Sequence, residues 1–194
     1  MRWLIILSTL ILSLGCADNE QLARESIQST LIGRDIVRYK SFESFAGDVI
    51  CGEYEVISEW GDSRGLTKFI YMKGKLSLSS SKMDQSIFCN PDPAVALYEI
   101  TGVDATRMGK QTFSNIKRDF AALEKAMPKQ APENADMLAD PWGNPYIYIE
   151  PWYSGVQADL KLQTLGADGE PGGKDENADI GNWQIKYIDH VREL

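Results

Sequence analysis

The chain has 194 residues, 43% of them hydrophobic and 10% aromatic, a composition that buries one sizeable core or two small ones and excludes a disordered chain. Its formal charge is −8, and removal of a leader whose only charged side chain is Arg2 takes the balance to −9. Nucleic acid is thereby excluded as a partner, because nothing offsets phosphate repulsion.

Arg2 is followed by an uncharged run over residues 3–14, long enough for the core of a signal peptide and short of the roughly 20 residues a spanning helix needs. Residues 1–15 are therefore expected to be a cleaved leader. Ser13-Leu14-Gly15-Cys16 resembles a bacterial lipobox, which implies lipidation of Cys16 as the new N-terminus. With Ala17 next to it, that resemblance implies the outer membrane, facing the periplasm. Gly15-Cys16-Ala17 also fits ordinary small-residue cleavage, so a soluble periplasmic or secreted form stays open. Of three cysteines, Cys51 and Cys89 then remain as an even pair in an oxidising compartment, where a disulfide is the ordinary outcome.

Residues 16–33 are polar, with Leu22, Ile27 and Leu31 at loose helical spacing, and read as a tether carrying a short helix. Residues 34–90 read as a small β domain closed by Cys51–Cys89. Strands are expected at 49–57, 66–72 and 75–78 from their β-branched and aromatic content, separated by Gly-containing turns, which makes a β-meander. The run Val49-Ile-Cys-Gly-Glu-Tyr54, together with Phe88-Cys89, resembles a small disulfide-closed domain of short bacterial lipoproteins. Asn90-Pro-Asp-Pro93 is a stiff break and opens a linker, 91–103, in which Val95, Leu97, Tyr98 and Ile100 fit either a strand or a helical turn.

Residues 104–194 form the second expected domain. Phe113, Ile116, Phe120, Leu123 and Met127 recur at intervals of three and four, which puts one apolar stripe on a helix over 112–127, ended by Pro128. A sheet is needed to cover that stripe, with strands expected at 146–149, 159–165 and 183–187 and a turn at 152–155. The fold class is thus α+β: a small disulfide-closed β-meander, then a helix packed on a small antiparallel sheet.

The last two strands are joined by 165–183, where Asp168, Glu170, Asp175, Glu176 and Asp179 fall among five glycines. Crowded carboxylates repel unless a cation or solvent screens them, and oxygen-only ligands favour calcium. The spacing is not that of an EF-hand, since a strand-like Asp159-Leu-Lys-Leu-Gln-Thr-Leu165 stands where a helix is required. From composition alone a solvated acidic turn remains open. Asp140-Pro-Trp-Gly-Asn-Pro-Tyr146, Leu165-Gly-Ala-Asp-Gly-Glu-Pro-Gly-Gly173 and Asn177-Ala-Asp-Ile-Gly-Asn-Trp183 resemble, in order, the C-terminal region of GspG, the major pseudopilin of type II secretion systems. The resemblance implies a pseudopilin-like helix on a small sheet closed by a calcium loop. It implies the Asp168 and Asp175 carboxylates and the Leu165 carbonyl as Ca2+ ligands, with Asp179 and neighbouring carbonyls as further candidates behind them. A pseudopilin's prepilin leader and long apolar helix are replaced here by the lipobox and the β domain, so polymerisation in the pseudopilin manner is not expected.

No catalytic set stands out. His190 is the sole histidine and reads as an exposed or half-buried side chain; Ser79-Ser-Ser-Lys82 reads as a polar turn rather than a Ser-Lys pair. No P-loop, Gly-x-Gly-x-x-Gly or His-Glu-x-x-His motif occurs. The expected function is non-enzymatic: a calcium-stabilised, lipid-anchored envelope protein acting as a structural or interaction module, with secretion-system or other envelope proteins as candidate partners. The alternatives are a pseudopilus-associated component of type II secretion and, from Trp142, Trp152 and Trp183, a carbohydrate-binding envelope protein.

Overall fold

A computed structural model describes residues 14–126, 138–149 and 161–194. The last two positions of the expected leader, 14 and 15, already belong to the first helix, whereas its residues 1–13, the 152–155 turn with Trp152, and Met127 lie outside the described residues. So does the side chain of Cys16, although its backbone falls in the first helix. The chain divides into two compact units between Pro93 and Ala94.

The first unit opens with α1 (Leu14–Gln28), continues through β1 (Ile36–Phe45), β2 (Val49–Ile57), β3 (Ser63–Met72) and β4 (Lys75–Ser77), and ends with α2 (Lys82–Phe88). The strands form one antiparallel sheet in sequence order, so the meander has a further strand, β1, before the three expected ones. Alternation turns Val37, Tyr39, Phe42, Tyr54, Val56, Phe69 and Tyr71 to one face, where Ala23 and Ile27 of α1 complete a core. The segment expected to serve as a tether is therefore partly structural, because Ala23 and Ile27, four apart, share the one face of α1 that the sheet covers. Arg24 stacks its guanidinium over Tyr39 and Phe42, 4.5 and 4.0 Å from the ring centroids.

The stretch after β4 holds a helix where only a polar turn was expected. Ser81 caps α2: its hydroxyl accepts from the Asp84 amide, and the Asp84 carboxylate accepts from the Ser81 amide. The Cys51–Cys89 disulfide joins β2 to the end of this helix.

The second unit comprises α3 (Pro93–Thr101, beginning at the division), α4 (Lys110–Ala126), β5 (Ile147–Ile149), β6 (Lys161–Thr164), β7 (Ile180–Gly181) and α5 (Ile185–Glu193). Residues 91–103, expected to be a linker, mostly form α3, with Ala96, Leu97 and Val103 buried. Pro93 suits its first position, where a preset φ helps and no amide hydrogen is needed. The apolar stripe of α4 is present, with Phe113, Ile116, Phe120 and Leu123 all buried.

The sheet order is β5-β6-β7, all antiparallel. Its last strand corrects the expectation: residues 183–187 are a 3-10 turn, Asn182–Gln184, running into α5, and the paired strand is the shorter Ile180–Gly181 upstream. Tyr187, Ile188 and Val191 are buried along α5, and Lys117 of α4 reaches Asp189 at 2.6 Å. His190, expected to be at least half exposed, is buried on the same helix at 3% exposure.

Candidate metal centre

Thr164 pairs with Ile180 at the neck of the acidic loop, so the two strands that flank it are hydrogen-bonded neighbours. One step further in, the Ala167 amide donates to the Glu176 carbonyl at 2.8 Å. Residues Asp175–Asn177 form a 3-10 turn, with Asn177 and Ala178 amides donating to the Lys174 and Asp175 carbonyls. Glycine is needed at Gly166, where φ is +70° and a Cβ would come within 2.6 Å of the Asn177 carbonyl carbon. At Gly173, φ +87°, a Cβ would overlap the Asn177 carbonyl oxygen itself. Both glycines therefore clear space around that oxygen.

The four ligand positions that the GspG resemblance implies are placed as follows. Leu165 is half-buried just past the end of β6. Asp168 is exposed, and its Oδ1 accepts from the Glu170 amide at 3.1 Å. Asp175 is exposed with φ +58°, a left-handed conformation uncommon for a non-glycine residue, and its amide donates to the Gly102 carbonyl at 2.9 Å. Asp179 is half-buried; its Oδ2 accepts from Gln163 Nε2 at 2.8 Å and from the Gly172 amide at 2.9 Å. Its Oδ1 is buried with no hydrogen-bond partner among the described residues. The Ala167–Glu176 bond brings together the segments that carry Asp168 and Asp175. Among the described residues no three carboxylate, histidine or cysteine side chains converge as a metal cluster, so a cation here would draw on main-chain carbonyls as well as carboxylates.

What holds the loop from behind is the Asp140–Tyr146 segment. Asp140, 5% exposed, accepts at Oδ1 from the Trp142 and Asn144 amides at 3.0 and 2.8 Å, which curls the segment into a turn. Its Oδ2 accepts from the fully buried Thr164 hydroxyl, fastening the turn to β6. Asn144 then donates from Nδ2 to the Gly166 carbonyl at 2.8 Å. Tyr146 is buried against Phe120 of α4, ring centroids 5.3 Å apart, and donates to Asp119 Oδ2 at 3.2 Å. Burial first, then the neighbouring Asp119 carboxylate, push the Tyr146 phenol well above the ordinary tyrosine range.

Asn144, Asp140, Thr164 and Gln163 are thus site residues that the sequence reading missed. Asp140-Pro-Trp-Gly-Asn-Pro-Tyr146 carries the family resemblance in the sequence but no assigned turn, and nothing local indicates that Asn144 reaches Gly166, 22 residues away. Gly102 was missed as well: its carbonyl receives the Asp175 amide, and a Cβ there would come within 2.6 Å of the Gly173 carbonyl oxygen.

Beside the loop lies a cleft of about 520 Å3, bordered by Asp104, Arg107, Met108, Trp142, Lys174 and Glu176 among others. Asp104 is held below the usual carboxylate range, chiefly by the Thr106 hydroxyl donating to it. The wall thus pairs fixed acidic groups with Arg107 and Lys174, a mixed surface with no single charge preference.

The family model of type II secretion system protein G matches residues 103–183. The type II secretion system core protein G of Pseudomonas aeruginosa is 57% identical over 44 residues, 23% of this chain and 29% of that protein. Its counterpart in Vibrio cholerae is 51% identical over 47 residues, 24% of this chain and 30% of that protein. The Aeromonas hydrophila protein is 45% identical over 47 residues, 24% and 29% of the respective chains. The chain therefore spans less than a third of the length of the curated relatives it matches. Helix α4, the sheet and the acidic loop all fall in the matched segment, and the C-terminal half of the chain is GspG-like.

Proposed function

We propose that the protein is a calcium-stabilised, lipid-anchored component of the bacterial envelope. Its GspG-like half serves as a non-enzymatic structural or interaction module, with partners among type II secretion proteins. The observation that carries the calcium reading is Asp179 Oδ1, an anionic oxygen buried without a hydrogen-bond partner among the described residues at the end of an all-oxygen loop. Such an atom is costly unless a cation or a hydrogen-bond donor meets it, and the neighbouring carboxylates of the loop favour the cation. Asp168, Asp175 and Asp179 would supply carboxylates and Leu165 a carbonyl; calcium, when bound, supplies the positive charge that offsets their repulsion. The protein's own part is to hold the oxygens still: Asp140 shapes the turn, Asn144 pins Gly166, and Gln163 orients Asp179 from the neighbouring strand.

The secretion reading rests on the protein G match, together with the names of the relatives. The lipobox resemblance of Ser13-Leu14-Gly15-Cys16 supports attachment through a lipid on Cys16. Isothermal calorimetry with calcium tests the loop, with one site per chain expected and none after Asp168→Ala with Asp175→Ala. Metabolic labelling with a fatty acid tests the anchor, and loss of label in Cys16→Ser is the expected result; an unlabelled wild-type chain contradicts it. Crosslinking in cells that express type II secretion proteins tests the partners, which should be recovered at residues of the GspG-like half.

A further inference from the structure

Strand β1 is the outer strand of its sheet, and among the described residues no strand pairs with its free edge. An edge of this length pairs readily with another strand unless charge or irregularity prevents it. β1 carries Arg38, Lys40 and Glu43 and has a bulge between Tyr39 and Ser41, features that commonly protect an edge. Here they are arranged symmetrically. Counting outward from the bulged Lys40–Ser41 position, Tyr39 matches Phe42, Arg38 matches Glu43, Val37 matches Ser44 and Ile36 matches Phe45.

The bulge makes each couple share a face. Tyr39 and Phe42 both pack on the core beneath α1, whereas Arg38 and Glu43 sit exposed opposite Glu55 and Cys51 of β2, away from that core. In a regular strand residues five apart point to opposite faces, and this match would be lost. Two copies placed antiparallel about a two-fold axis through the bulge would set Arg38 against Glu43 twice and Tyr39 against Phe42 twice. On the Arg38–Glu43 face the charges of each copy, Arg38, Lys40, Glu43 and Glu55, balance, while on the opposite face Arg24 adds one positive charge that stacks over Tyr39 and Phe42.

We propose that β1 is a self-association edge, pairing antiparallel with β1 of a second copy of this chain into one continuous sheet. The inference does not depend on the calcium reading.

Oxidative crosslinking and sedimentation of the full chain in mild detergent test it. At the two-fold position the two copies of residue 41 face each other at roughly 5 Å, within disulfide reach, whereas the two copies of residue 43 lie roughly 13 Å apart. Ser41→Cys should form a covalent dimer and Glu43→Cys should not. Arg38→Glu or Glu43→Arg alone should weaken the dimer about tenfold, and the two together should restore it, in calcium and in chelator alike. A monomer at every concentration, equal crosslinking at 41 and 43, indifference to the charge swaps, or loss of the dimer in chelator would each overturn the proposal.

Discussion

The side-chain amide of Asn144 donates to the main-chain carbonyl of Gly166 at 2.8 Å, and this one bond links the Asp140–Tyr146 turn to the start of the acidic loop. Gly166 is buried, so removing the donor leaves its carbonyl without that partner away from water. Asn144→Ala should cost roughly 1–3 kcal/mol in urea unfolding. Asn144→Asp should cost more, because it brings an acceptor to an acceptor. An unchanged midpoint for both would show that the turn does not support the loop.

The glycines of the loop should not be equivalent. Gly166→Ala meets both a positive φ and a Cβ within 2.6 Å of Asn177, while Gly172→Ala, φ +99°, meets open space. The first substitution should therefore destabilise by about 2 kcal/mol or more, and the second by the backbone term alone, about 1 kcal/mol. Thermal melts of the two variants side by side check the ordering.

In the first unit, Cys51 and Cys89 close a loop with a sequence separation of 38. On the chain-entropy account, replacing both by serine should cost about 4 kcal/mol, read as a lower denaturant midpoint for the β domain.

Tyr146 gives the protein an alkaline limit. Its phenol ionises less readily when folded than the ordinary value of 10.0, because burial and Asp119 disfavour the phenolate. The sign follows directly: below about pH 10 the group is protonated in both states and its contribution is complete. As pH rises beyond that, the unfolded chain releases the proton first and stability falls. Denaturant midpoints measured from about pH 8 to 11 should decline at the top of the range, and Tyr146→Phe should flatten the decline.

These interactions differ in how far the sequence announces them. The α4 stripe was legible because Phe113, Ile116, Phe120 and Leu123 repeat with the helical period over three turns. The last element was misread because residues 183–187 alternate over too short a span; only with Ile188 and Val191 included does the helical spacing of α5 emerge. Ser81 and Asp84 did carry a capping signature for α2 that was passed over as a polar turn. The loop could be located from its glycines and carboxylates. Its supports, Asn144 on Gly166 and Gln163 on Asp179, could not, since they are set by strand register and turn geometry rather than by spacing. Likewise the loose spacing of Leu22, Ile27 and Leu31 indicates a short helix but not its buried face, and only the sheet beneath α1 gives Ala23 and Ile27 their role.

Thermal unfolding of the wild-type chain and of Asp168→Ala with Asp175→Ala, each in calcium and in chelator, tests the calcium loop most directly. Binding to the folded state at ten times Kd adds about 1.4 kcal/mol, which for a unit of this size raises the midpoint by several degrees. The account predicts that rise for the wild type and its absence in the double variant. Identical wild-type midpoints with and without calcium, over the millimolar range, would contradict it.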